Sequence, residues 1–312
     1  MYTLFLISQY GSCYSCYICG FDRVLKHPLL ENMLRSLLKS FPIVLSLSLF
    51  ANLQPLLATS ILEEIKETGV LKVGLRQDAP PISYRNGEGM LTGYCVDAIA
   101  ALKQKLQDEL EIPYEIIVDI YTSTLTNRFE LVADGTVHLE CGPNSVRDYT
   151  EKFIFSQPFF ISGTHFLINT NRRSNLDYQG SLDEVTVGVL QGTTTETFVR
   201  ERYPQTTLQS FYGNTGKFRA IEALEDRIDA FASDGILLIG EIVTRGLPLN
   251  LYQLVPLKPL SCEYYGMILP EGDEDWEEFV NSVLASEEAE RIWKDWFEVK
   301  FPYIKLEAEF CN

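Results

Sequence analysis

Positive charge is scarce in this chain. Of 312 residues, 26 are Lys or Arg against 43 Asp or Glu, for a net charge of −17. The first 58 residues carry four cations (Arg23, Lys26, Arg35, Lys39) and two anions (Asp22, Glu31), so the remainder stands at −19. Such a surface argues against nucleic acid or an anionic membrane as partner. Long hydrophobic runs are missing too. The longest, residues 41–51, is too short to span a bilayer, although it stretches toward residue 58 if Asn52 and Gln54 are tolerated. Behind Arg35 and Lys39 it suits a secretory signal ending near Leu57-Ala58, with a retained membrane anchor as the alternative. No lipid-accepting Cys follows it. Cys13, Cys16 and Cys19 have metal-like spacing but lack a fourth ligand nearby, so no metal is expected. Residues 1–32 form an odd leader, and Met33 would make a more ordinary start. Neither internal repeats nor low-complexity segments occur.

What remains is an alternation of short apolar strands and amphipathic helices. Strands are predicted at 71–75, 114–119, 137–141, 164–168, 185–190, 228–232 and 265–269; helices at 95–106, 126–134, 195–201, 217–224, 236–245, 275–284 and 287–296. The order implies an α/β fold with largely parallel sheets. In such sheets ligands sit beyond the carboxyl ends of strands. Polar residues fall there: Arg76, Ser145 and Arg147, Thr193 and Thr194, and Asp234. Gly192 to Thr195 opens a helix, where hydroxyls and unpaired backbone N–H groups favour an anion. Asp234 could accept hydrogen bonds from an ammonium, or cap the helix that follows. A fixed carboxylate beside an anion cradle is what a zwitterion needs.

Several segments, in order, carry a resemblance. LKVGLRQDAPPISYRNGEGMLTGYCVDAIAAL (71–102) has a VG strand, a PP turn, a Gly-rich hairpin and a TGYCVD helix entry. RFELVADGTVHLECGPNSVRDYTEKFIFSQPFFISGTHFLI (128–168) contains an FSQPF run. VTVGVLQGTTTETFVRERYP (185–204), IDAFASDG (228–235), YYGMILPEGDEDWEEFVNSVL (264–284) and AERIWKDWF (289–297) follow. Together these resemble the family-3 extracellular solute-binding proteins over about residues 61–311.

The resemblance implies a two-lobed, type II periplasmic-binding-protein-like α/β fold with two crossing hinge strands near 167–169 and 266–268. Residues 1–58 would be leader and signal peptide, 61–168 plus 265–312 lobe 1, and 169–264 lobe 2. It further implies a periplasmic, monomeric, non-enzymatic receptor that takes a free polar amino acid, acidic or amide, without a cofactor. The receptor would hand its ligand to an ABC permease, the alternative being a separately encoded amino-acid sensor that docks on a membrane partner. By the family pattern Asp234 holds the α-ammonium and Thr194, with Thr193, the α-carboxylate. The family's arginine clamp falls on Tyr149 by count, whereas Arg147 is two residues earlier, so the loop GPNSVRDYTEK departs from the usual spacing. Arg147 is either the clamp on a tighter turn or a surface cation. Arg76 matches a basic residue of members selective for acidic ligands, or is a solvated strand end. Ile82, Tyr84 and Pro80-Pro81 would wall the ligand's methylenes, and Asn214 and Lys217 open a helix within reach of a side chain.

Of the four later cysteines, Cys262 and Cys311 match a disulfide of ionotropic glutamate receptor cores, which share this fold. Cys95 and Cys141 are left as a second pair or as buried thiols. Some enzymes of similar fold dehydrate cyclic amino-acid precursors, and Glu140 is the one acid that could serve such chemistry here.

Overall fold

A computed structural model describes residues 60–147, 152–301 and 310–311. The leader, signal and start-codon expectations lie outside these residues. Two five-stranded sheets organise the chain. The first is built on Val70–Arg76, whose VLKVGLR sequence buries side chains on both faces and pairs in parallel with Ile117–Ser123 and Leu139–Cys141. Ile268–Pro270 adds to it antiparallel, and Phe153–Phe155 closes the far edge. Helix Tyr94–Glu109 covers this sheet with Tyr94, Ile99, Leu102 and Leu106, and Trp276 and Val280 of Glu274–Leu284 join the same core.

The second sheet has Ala230–Asp234 at its centre, with Thr186–Leu190 running parallel between it and the edge strand Thr207–Phe211. Thr164–Asn169 runs antiparallel beside Ala230–Asp234 and is paired in turn by Tyr252–Val255. The sequence reading put 164–168 at the end of the first lobe, but the strand hydrogen-bonds into the second sheet, and all six of its residues are buried there. The crossings between sheets accordingly lie a few residues earlier than expected. Phe160–Ser162 and Glu263–Tyr265 pair antiparallel, apart from both large sheets. At the crossing point the Leu260 N–H donates to the Thr164 carbonyl at 2.9 Å, and the Ser261 hydroxyl donates to the Thr164 hydroxyl at 2.9 Å. A Cβ on Gly163 would stand 1.9 Å from the Ser261 carbonyl oxygen, so only glycine lets the two segments touch.

Helix Gly235–Arg245 serves both halves: Ile236 and Leu237 enter the first core, Leu238 and Ile242 the second. Its Gly240 backs onto the Pro80-Pro81 turn, where an added Cβ would fall 2.0 Å from the Pro80 carbonyl oxygen. Two disulfides are formed, Cys95–Cys141 between helix Tyr94–Glu109 and strand Leu139–Cys141, and Cys262–Cys311 beside the crossing strands. Among the described residues no helix is long and apolar enough to cross a membrane.

Candidate functional site

The carboxyl ends of strands from both sheets converge on one cavity. Its lining includes all six candidates, Arg76, Ser145, Arg147, Thr193, Thr194 and Asp234, together with Arg128, Thr195, Ser233 and Lys217. The apolar wall comes from Ala79, Leu125, Leu190 and Leu237. It does not come from Ile82, which is wholly in the core, nor from Tyr84. Asn214 is exposed and outside the lining. Ser145 Oγ and Thr194 Oγ1 approach to 3.5 Å across the cleft, so the two halves meet over the cavity.

Asp234 ends its strand and precedes helix Gly235–Arg245, yet its side chain makes no capping bond to it. The buried carboxylate instead accepts from Thr195 Oγ1 at 3.1 Å and from the Tyr265 hydroxyl. Burial, and next the neighbouring Glu263 charge, push its pKa up to about 6 against those hydrogen bonds. A cation placed in the cavity would relieve this group.

Across from it the helix Thr194–Arg202 begins. Thr193 is its N-cap, accepting from the Glu196 N–H at 3.1 Å and donating to the Leu190 carbonyl at 2.8 Å. Thr193 is thereby spent on the turn, and Thr194 is free to face the cleft, where its hydroxyl donates to Glu263 at 3.2 Å.

Arg76 is no solvated strand end. It is 2% exposed and forks onto Asp78 with two bonds of 2.9 Å, leaving Nη1 buried without a hydrogen-bond partner. Burial works against ionised Asp78, but the Arg76 and then the Lys217 charges bring its pKa below the ordinary value. Arg128, which sequence reasoning missed, is buried as well. It donates to the Leu125 carbonyl and leaves Nε unpartnered. Burial, then the Arg76 guanidinium beside it, lower its pKa to about 10, so it stays charged at neutral pH. Strand Ile117–Ser123 starts and ends later than its expected 114–119; placed correctly, its end would have put Arg128 among the strand-end residues. Arg147 is exposed at the rim, its guanidinium 4.2 Å from the centre of the Phe129 ring, which Arg128 also contacts at 4.4 Å.

Glu140 is fully buried and outside the cavity lining. It accepts from Ser123 Oγ and Asn144 Nδ2, each at 2.5 Å, and burial raises its pKa against those bonds and the Arg76 and Arg128 charges. Its place is behind the two arginines. Among the described residues no group of three or more His, Cys, Asp or Glu could hold a metal ion.

Two α/β halves joined by a pair of crossing strands, with a charged cavity between them, define a type II periplasmic-binding fold. The chain belongs to the bacterial extracellular solute-binding proteins, family 3, whose model matches residues 71–299. It is 29% identical over 262 residues to the glutamate/aspartate import solute-binding protein of Escherichia coli, covering 81% of this chain and 84% of that protein. It is 24% identical to the cyclohexadienyl dehydratase of Pseudomonas aeruginosa, over 78% of this chain and 88% of that enzyme. Among solved structures, the ancestral amino acid-binding protein AncCDT-1, described as a precursor of cyclohexadienyl dehydratase, superposes with a TM-score of 0.64 at 21% identity. That match covers 76% of this chain and all of that one.

Proposed function

We propose that this protein is the periplasmic receptor of an ABC importer, capturing one polar amino acid, acidic or amide, between its lobes and delivering it to the permease. One observation carries the reading: a single cavity gathers a buried, partly uncompensated carboxylate, an open helix start and a set of cations from both halves of the chain. Asp234 takes the α-ammonium. The α-carboxylate lies between the helix start at Thr194 and Thr195 and the pair Ser145 and Arg147. The ligand side chain points to Arg76 and Arg128. Because these groups come from opposite lobes, ligand bridges them and favours closure about the crossing strands, the state that the permease reads. The chain acts as a monomer and needs no cofactor.

The dehydratase relative raises an enzymatic reading, for which Glu140 would be the acid. That side chain is occupied by Ser123 and Asn144 behind the cavity wall, which favours binding over catalysis. A thermal-shift screen of the twenty amino acids, followed by calorimetry, tests the proposal. At about 100 times its dissociation constant the ligand adds ~2.7 kcal/mol, or roughly 5–10 °C. If no amino acid raises the melting temperature or gives a binding heat, the reading falls.

A further inference from the structure

Lys217 lines the cavity, but the ligand placement above gives it no role. It stands in the first turn of helix Gly216–Ala223, on the half of the chain opposite Arg76 and Arg128, and is 4% exposed. Its ammonium has three donors and no acceptor, yet Nζ is buried without a hydrogen-bond partner. The nearest anion, Glu241 Oε1, is 3.5 Å away. Lys217 lines the cavity, and its charge is felt by both Asp78, the partner of Arg76, and Asp234. It therefore shares, from the second lobe, the cavity lining that Arg76 and Arg128 enter from the first. With the α-groups of an amino acid placed at Asp234 and at the Thr194 helix start, the ligand side chain extends toward these cations.

We propose that Lys217 is a specificity-determining residue, closing on the ligand's side-chain acid together with Arg76 and Arg128, so that the protein selects a dicarboxylic amino acid over its amide. This rests on the amino-acid-receptor reading above. The unfilled donors of three buried cations, Arg76 Nη1, Arg128 Nε and Lys217 Nζ, ask for acceptors. A carboxylate offers two oxygens and the compensating charge. An amide offers one oxygen and turns an NH2 group toward those same cations. Because Lys217 belongs to the second lobe, the side-chain acid ties the lobes together a second time, so acidity of the side chain strengthens closure as well as affinity.

The test is calorimetry with L-glutamate, L-aspartate, L-glutamine and L-asparagine on the wild type, Lys217→Met, Lys217→Arg and Glu241→Gln. The wild type should favour the acids over the amides. Lys217→Met should weaken the preferred acid by about 30-fold or more and its amide by less than about threefold, while Lys217→Arg retains most of the preference. Should Lys217→Met not fold, Lys217→Gln carries the same expectation. Glu241→Gln, which frees the lysine, should keep the preference for acids. Preference of the wild type for an amide, equal losses for acid and amide in Lys217→Met, or no loss at all overturns the proposal and leaves the receptor reading standing. Absence of binding by any amino acid to the wild type removes both.

Discussion

Asp234→Asn should make the empty protein more stable and the receptor worse. The side chain is buried, and its carboxyl titrates at about 6 against an ordinary 3.8, chiefly because burial disfavours the charge. The rise from 3.8 to about 6 corresponds to ~3 kcal/mol of native-state cost for ionised Asp234 at pH 7. Since the folded pKa lies above the unfolded one, the stability that the protonated carboxyl lends is complete below about 3.8. It is lost as the pH rises through about 6. Asparagine removes that dependence. It also disturbs the bonds from Thr195 and Tyr265, a loss of about 1 kcal/mol, leaving a net gain of roughly 1–3 kcal/mol at pH 7 and little gain at pH 4. The melting temperature of the ligand-free variant should rise by roughly 3–8 °C at pH 7. Ligand affinity should fall by ~2–5 kcal/mol, about 30-fold or more, because the ammonium loses its counter-charge. Calorimetric scans of wild type and variant between pH 4 and 8, with ligand titrations at pH 7.5, measure all three. A variant that is less stable at pH 7 and equally less stable at pH 4 refutes the burial argument, and undiminished binding refutes the ammonium assignment.

Arg147→Met should weaken the ligand by ~2–5 kcal/mol in calorimetry, with stability changed by no more than ~1 kcal/mol, since among the described residues it is stacking on Phe129 that is lost; unchanged binding would show that the GPNSVRDYTEK loop recruits another cation, Lys152 first. Replacing Cys262 and Cys311 by Ser opens a loop spanning a separation of 49 residues and should cost ~4 kcal/mol on the chain-entropy model in urea unfolding, whereas a loss under ~1 kcal/mol would show that the bridge constrains little. Gly240→Val drives a side chain into the Pro80 carbonyl and should hold the lobes apart, seen as a larger ligand-bound radius of gyration in solution scattering; a radius equal to wild type would mean that this contact is not part of closure.

Much of this was legible beforehand, for reasons that particular residues make clear. Buried parallel strands such as Thr186–Leu190 leave dense apolar runs, and cavity-lining groups at their ends can be counted from where those runs stop. The same logic brought Asp234, Thr194 and Arg76 to the cavity. It failed where the apolar pattern is diluted: Ile117–Ser123 exposes Ile117 and Ile120, so its end, and with it Arg128, was displaced by a few residues. Thr207–Phe211 and Phe153–Phe155, edge strands with partly exposed side chains, were missed altogether. The burial of Arg76 was invisible for another reason. Its partner Asp78 is two residues away, but whether that fork forms in water or in a core depends on how segments distant in sequence pack over it.

Gly163 and Ser261 touch where the chain enters and leaves the second half. The segment between them leaves the first half of the molecule and returns to it at nearly the same point, joined by two short stretches that hydrogen-bond to each other. Such a segment behaves as a cassette. Exchanging residues 164–261 for those of a relative would need two neighbouring chain junctions and a match at Ile236, Leu237 and Gly240, which pack on the first half, and would leave both disulfides in place. Ligand choice in a scaffold of this shape can therefore change half a binding site at a time, with Asp234, Thr194 and Lys217 travelling together while Arg76, Arg128 and Arg147 stay behind.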